Sequence, residues 1–419
     1  MAERKKFIYG LVVGMAIILV INVIYFGTSS LMHQVEDNKG VQVVKEGYNT
    51  PEEKIKDILK LVEDRYYLEN YKEEELYDSA YDGLYSGLLD GLEDPYTEYY
   101  TKKEYESFME STSGSYEGIG AVVTYNEETK ELMIVSPFIG SPAEKAGLLP
   151  GDIVRKVDDK NIKGLTMEDV VANMIRGKKG TKVTLSIYRE SDNSNMDLEI
   201  KRDVITMPTV SHEMLDDKIG YIRITGFEEV TYDQFKEALY DLEAQEQKGL
   251  IIDVRNNPGG LLNIVIDMAD ELLPKGLIVY TEDKNGYREQ ASSDEEHKFT
   301  KPLVVLANEN SASASEILTG AIKDSGIGTV VGTTTFGKGL VQRIFPLEDG
   351  SAVKVTISKY YTPSGNYIHG KGIEPDVKIE LPEELKKELV IKREEDTQFA
   401  KAVEVMKDKI AKEDMANSK

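Results

Sequence analysis

At 419 residues the chain has room for two or three domains of ordinary size, and its 40% hydrophobic and 30% charged composition excludes both a disordered tail and a multi-span membrane protein. A net charge of -24 argues against a general nucleic-acid binder lacking a local basic patch. With no cysteine there are no disulfides, thiol nucleophiles or thiolate metal sites, and the four histidines, His33, His212, His297 and His369, disfavour chemistry that needs several imidazoles.

Residues 7–26 form an almost unbroken apolar run, and no Asp, Glu, Lys or Arg lies between Lys6 and Glu36. About 20 such residues span a bilayer as a helix. Arg4, Lys5 and Lys6 precede the run and by the positive-inside tendency stay cytoplasmic. The expectation is therefore a single-pass signal anchor over residues 1–30 at the cell membrane, with everything after it extracytoplasmic. A cleaved signal peptide is the competing reading, supported only by the small residues at 27–30.

Residues 48–113 read as a helical arm. Ile55, Ile58, Leu59 and Val62, then Tyr77, Tyr81, Leu84, Leu88 and Leu92, recur at three- and four-residue steps until Asp94-Pro95 breaks the pattern. This acidic, tyrosine-rich stretch shows no catalytic grouping, and packing or dimerisation is its expected role. Serine and glycine over 111–115 mark a linker.

Residues 114–204 read as short strands and turns with one helix over about 167–175. Ser141-Pro142-Ala143-Glu144-Lys145-Ala146-Gly147-Leu148, followed by Gly151-Asp152-Ile153-Val154 and Val157-Asp158, resembles a PDZ domain. In such domains a glycine-rich loop offers backbone N–H groups to a terminal carboxylate, and Gly118-Ile119-Gly120-Ala121 matches that loop. A ligand peptide would add as an extra strand. Arg176, at the end of the helix, is a candidate for recognising the incoming chain; its simpler reading is as a charge complementing the helix C-terminus.

From residue 205 to about 380 strands and helices alternate. Strands are expected over 219–225, 250–254, 303–307, 330–331 and 353–357, and helices over 232–246, 261–273 and 315–323, giving an α/β layer architecture with ligand-facing loops at strand ends. Residues 381–419 read as a charged helical tail, solvated or packed on a partner.

Three stretches of this last region can carry chemistry. Asn308-Glu309-Asn310-Ser311-Ala312-Ser313-Ala314-Ser315-Glu316 lies between a strand and a helix, where unpaired N–H groups and the helix dipole favour developing negative charge. Residue type alone does not choose among Ser311, Ser313 and Ser315, and capping serines would look the same. Gly337-Lys338-Gly339 can bring a lysine into a pocket, where desolvation strips its proton near neutral pH and fits it as base to a serine. Gln342, four residues on, can orient that amine without raising its pKa as a carboxylate would. Gly332 to Lys338 nearly fits a phosphate-binding loop, but Gly339 replaces the metal-binding hydroxyl and a strand follows. Asp253-Val254-Arg255-Asn256-Asn257-Pro258-Gly259-Gly260 supplies glycines that let main-chain N–H groups approach a reacting carbonyl.

Together with Asp94-Pro95-Tyr96-Thr97 and the PDZ-like segment, these stretches resemble the carboxyl-terminal processing peptidases over residues 51–380. The resemblance implies a mixed α/β multidomain fold: helical arm, PDZ domain and a crotonase/ClpP-like serine protease core. It implies Ser313 as nucleophile, Lys338 as general base and Gln342 as the residue positioning it, with an oxyanion hole from the backbone N–H of Ala314 and of Gly259 or Gly260. His369 is expected to be structural. The implied function is an endopeptidase that binds protein substrates by their C-terminal tails and cuts through an acyl-enzyme, as a homodimer, with no cofactor, metal or nucleic acid. A non-catalytic PDZ scaffold and a crotonase-like acyl-transfer enzyme are the rivals.

Overall fold

The computed structural model describes residues 48, 50–67, 73–126, 129–294, 296–387 and 391–417. The apolar run expected to anchor the chain lies outside them. Among the described residues no helix is long and apolar enough to cross a membrane. Contacts divide the chain after Leu76 into two units. In the first, α1 (Pro51–Arg65) begins with proline at its first position, while the Thr50 hydroxyl accepts the Glu53 N–H at 3.4 Å. None of its residues is buried within that unit, Ile58 and Leu61 included.

The second unit begins within α2 (Glu73–Asp90). After the Asp94-Pro95 turn come β1 (Glu98–Tyr100) and α3 (Lys102–Ser113). A capping box starts α3: the Thr101 hydroxyl accepts the Glu104 N–H at 3.3 Å, and the Glu104 carboxylate accepts the Thr101 N–H at 2.9 Å. The expected linker at 111–115 is not there. The helix continues to Ser113, Gly114 closes it in the left-handed region (φ 67°), and β2 starts at the next residue.

The PDZ-like module comprises β2 (Ser115–Gly118), β3 (Ala121–Asn126), β4 (Glu131–Pro137), α4 (Pro142–Lys145), β5 (Ile153–Val157), β6 (Lys160–Asn161), α5 (Met167–Val170) with a π turn over Val171–Ile175, β7 (Lys182–Arg189), β8 (Ser194–Lys201) and β9 (Asp203–Thr206). Antiparallel β2 and β9 close its neck. The sheet runs β3-β4-β5-β7-β8, so β3 is an edge strand. Alternate residues of β7, Val183, Leu185 and Ile187, point into a core with Leu132, Ile134, Leu148 and Ile200, as half-buried strands must.

The remaining chain adds β10 (Val210–Leu215), β11 (Ile219–Ile224), α6 (Thr231–Ala244), β12 (Gly249–Asp253), α7 (Leu262–Asp270), β13 (Gly276–Asp283), β14 (Arg288–Ser293), β15 (Leu303–Ala307), α8 (Ala314–Asp324), β16 (Gly328–Gly332), β17 (Leu340–Pro346), β18 (Ala352–Tyr361), β19 (Val377–Lys378) and α9 (Thr397–Asn417). One sheet is ordered β10-β11-β12-β15-β16-β19, parallel except for β10. Its two faces are read from alternate residues of single strands. Leu250, Ile252, Leu303 and Val305 face the core with α6, α7 and α8, through Phe235, Leu239, Val265, Met268, Leu318 and Ile322. Ile251, Val304, Leu306 and Val331 face the other way, against Phe399, Ala402, Met406 and Ile410 of α9. The charged C-terminal segment is thus no solvated tail: it covers its own chain's sheet, which a parallel sheet requires on both faces. The second sheet runs β1-β18-β13-β14, with β17 also on β18.

Candidate active site

The first sheet decides where the site lies. β12 and β15 are adjacent and parallel, so the loops leaving their carboxyl ends emerge side by side. Asparagines lace them together. Asn308 Oδ1 accepts the Asn256 N–H at 2.9 Å, Asn256 Oδ1 accepts from the Asn308 and Asn310 amides at 2.8 and 2.9 Å, and the Asn257 carbonyl accepts the Ala312 N–H at 3.0 Å. Arg255, at the base of the first loop, is paired with Asp253 at 2.6 Å and with Asp396, at the head of α9, at 2.9 Å.

The three candidate serines part company here. Ser311 and Ser315 are fully buried, and their hydroxyls donate to the carbonyls of Val254 at 2.8 Å and Asn257 at 2.9 Å. Ser313 lines a cleft of about 580 Å³. Its backbone, at φ 54° and ψ −113°, lies where L-residues rarely sit, a conformation costing on the order of 1–3 kcal/mol and persisting only where the surroundings enforce it. Enforcement comes from Glu316, fully buried three residues on. Its carboxylate accepts the N–H of Ser313 at 2.9 Å, the Thr335 hydroxyl at 2.6 Å, and the N–H groups of Gly337 and Lys338 at 2.7 and 2.8 Å. One carboxylate therefore ties the serine turn to the lysine loop. Ser313-x-x-Glu316 has capping-box spacing, so the sequence itself carries a signal for this contact.

Ala314, the first residue of α8, has no carbonyl four residues back to take its N–H. The two glycines differ. Gly259 donates its N–H to Asn257 Oδ1 at 2.9 Å, and a Cβ on it would lie 2.8 Å from Ser313 Cβ, so it buttresses the turn from behind. Gly260 lines the cleft beside Ser313 and Ala314; its φ of 150° and a 2.4 Å approach of any Cβ to the Phe227 carbonyl leave room for glycine alone.

Lys338 and Gln342 line the same cleft. Burial, with the Lys354 ammonium adding to it, holds the Lys338 amine below the ordinary lysine value, against the opposing pull of Glu98, Asp94 and Glu316. No hydrogen bond joins it to Ser313 or to Gln342 among the described residues. Lys338 Nζ lies instead 4.5 Å over the ring of Tyr96, and Gln342 Nε2 donates to the Thr356 hydroxyl at 3.2 Å. His369 accepts the Gly339 N–H through Nδ1 at 3.4 Å.

The peptide-binding candidates lie apart from this cleft, in the PDZ-like module. Gly118 ends β2, Ile119 is buried, and the Ile119 and Gly120 carbonyls accept the N–H groups of Ala143 at 2.8 Å and Phe138 at 2.9 Å, fixing the loop that leads into Ala121 and β3. Arg176 does not serve as a solvated helix charge: its guanidinium stacks 4.5 Å over Tyr116 and pairs with Glu110 of α3. Phe108, Met109, Ser111 and Thr112, on either side of Glu110, line the Ser313 cleft.

Comparison with known proteins follows the same division. Residues 134–189 match a PDZ domain and residues 218–379 match peptidase family S41. The carboxy-terminal processing protease CtpA of Bacillus subtilis (strain 168) is 47% identical over 283 residues. The chain belongs to peptidase family S41. The alignment with the Bacillus protein covers 67% of this S41 chain and 60% of that protein. The carboxyl-terminal-processing protease of Synechocystis sp. is 40% identical over 284 residues, covering 67% of this chain and 66% of the relative. The S41 chain thus spans about two thirds or less of the length of both. A solved photosystem II D1 C-terminal processing protease shares 32% identity, over 78% of this chain and 89% of that one, with a TM-score of 0.45.

Proposed function

We propose that this S41 chain is a serine endopeptidase, anchored in the cell membrane by residues 7–26 and facing outward, that captures the C-terminal tail of a protein substrate in its PDZ domain and cuts by a Ser-Lys mechanism. The observation that carries this reading is the one serine of the triplet that is not fully buried, Ser313, held at positive φ in the cleft that Lys338 also lines. In the first step Ser313 Oγ bonds to the substrate carbonyl carbon, and its proton passes to the neutral amine of Lys338. Collapse of the tetrahedral intermediate breaks the C–N bond, and Lys338 returns the proton to the leaving amine. Water then repeats the sequence on the acyl-enzyme. The oxyanion would lie between the N–H groups of Ala314 and Gly260, the choice of Gly260 following from the engagement of Gly259 by Asn257.

For the amine to reach Ser313 it must leave the Tyr96 ring, and Gln342 would receive it there through Oε1, the atom its bond to Thr356 leaves available. Arg176, beside the Gly118–Ala121 loop, is suited to meet a substrate carboxylate in place of Glu110. The arm is proposed to support a homodimer, which a purely monomeric mass at working concentration would remove. The deciding experiment is treatment with a small acylating probe, followed by intact mass and by cleavage of an unfolded protein. The reading predicts a single adduct on Ser313 and turnover, both lost in Ser313→Ala with tail binding retained. Tail binding with neither adduct nor turnover in the wild type would instead favour a PDZ scaffold.

A further inference from the structure

The Asp94-Pro95-Tyr96-Thr97 turn, read from sequence as the end of a packing arm, sits against the catalytic lysine. Four observations place it there. The Tyr96 ring lies 4.5 Å beneath Lys338 Nζ, and Tyr96 packs edge-on against His369 at 6.5 Å on another side. The turn itself is rigid: Asp94 accepts the Tyr96 N–H at 3.0 Å and the Thr97 hydroxyl at 2.6 Å. Thr97 is buried and accepts the Thr356 N–H at 3.1 Å, and Thr356 is the residue that holds the Gln342 amide. Immediately after the turn, β1 pairs with β18 so that Glu98 and Tyr100 hold the Lys354 ammonium at 2.7 and 2.8 Å.

We propose that Tyr96 is a positioning residue for the general base, seating the Lys338 ammonium on its ring face in the resting enzyme and releasing the neutral amine toward Ser313. This rests on the reading of Lys338 as base. The physical reason is that a ring quadrupole attracts the ammonium and has little hold on the neutral amine, so the seat is protonation-dependent. Loss of the proton both arms the base and weakens its tether. The charged groups facing Lys338 are Lys354 of β18, Glu98 of β1, Asp94 of the turn and Glu316 of α8, with His369 beyond the ring. All of them are retained in a Tyr96 variant, and of these His369 packs on the ring itself.

The test is the pH dependence of Ser313 acylation by a small probe that does not need the PDZ domain, measured on the intact chain in Tyr96→Phe, Tyr96→Leu and Tyr96→Trp. A His369→Asn background removes the imidazole that packs against the ring. Because the ring favours the charged form, Leu should move the rising limb to lower pH by roughly 0.5 unit, Phe should leave it close to wild type, and Trp should move it upward. Leu should leave the plateau rate close to wild type, since the ring has little hold on the neutral amine. A merely structural role would produce no such ordering, and Trp keeps the test alive if Leu fails to fold. Superimposable limbs in all three variants, while Lys338→Ala abolishes acylation, would overturn the proposal alone. Undiminished acylation in Lys338→Ala would overturn the underlying reading and this inference with it.

Discussion

The serine side and the lysine side of the cleft are built differently. On the serine side the main chain is held by buried side chains: asparagines bind one strand-end loop to the other, Glu316 fixes the Ser313 turn from within, and Gly259 backs against it. On the lysine side the main chain is equally fixed, by the same Glu316, but the amine is free of hydrogen bonds to the other proposed catalytic groups and rests on a ring. The difference teaches that the groups proposed to meet charge in the transition state are preorganised, whereas the amine proposed to change protonation is not tied to them by hydrogen bonds.

The comparison breaks most severely at its two reacting groups. Ser313→Ala and Lys338→Arg should each lower cleavage by roughly 10⁴- to 10⁶-fold with the melting temperature near wild type, the second because a guanidinium keeps its proton. Cleavage within tenfold of wild type in either would end the assignment. Next in size is Gly260→Ala. Its Cβ would meet the Phe227 carbonyl at 2.4 Å, so the loop must shift, and kcat should fall on the order of 100- to 1000-fold with KM little changed. An unchanged kcat would move the second oxyanion donor elsewhere.

A control far from both sides sharpens the contrast. Met406→Ala, in the fully buried interface between α9 and the sheet, should cost about 2–5 kcal/mol of stability while leaving kcat of the folded enzyme close to wild type. Smallest is the pH dependence of stability. Lys338 has its folded pKa depressed, so between that value and the ordinary lysine value the unfolded chain binds the extra proton, and stability rises with pH across this window. Lys338→Met should remove that rise, seen as parallel melting curves where the wild type gains.

How much of this was legible in the sequence depended on what kind of pattern each element writes. Buried strands such as 250–254 and 303–307 announce themselves as β-branched apolar runs, and the glycines of 259–260 and 337–339 mark their loops. β14 escapes notice because Arg288–Ser293 contains no large apolar residue and its strand exists by pairing with β13, whereas the apolar run Leu277–Tyr280 of β13 was legible and went unread. The C-terminal helix reads as solvated or packed on a partner, rather than on its own chain's sheet, because Phe399, Ala402, Met406 and Ile410 are diluted among charges on its other face. At the site, residue types left three serines open, and it was tertiary hydrogen bonding by Ser311 and Ser315 that separated them. Tyr96 and Glu316 were visible as letters, but their action on Lys338 depends on contacts from residues 22 and more positions away, which no local spacing encodes.

The central proposal is that the Lys338 amine gives up its proton in the cleft that also holds the strained Ser313. Its most direct test is to titrate the Lys338 side chain by carbon-13 NMR and, on the same sample, the rate of Ser313 acylation. The account predicts that both follow one curve whose midpoint lies below the ordinary lysine value. An ammonium persisting into alkaline solution while acylation proceeds at neutrality would contradict it.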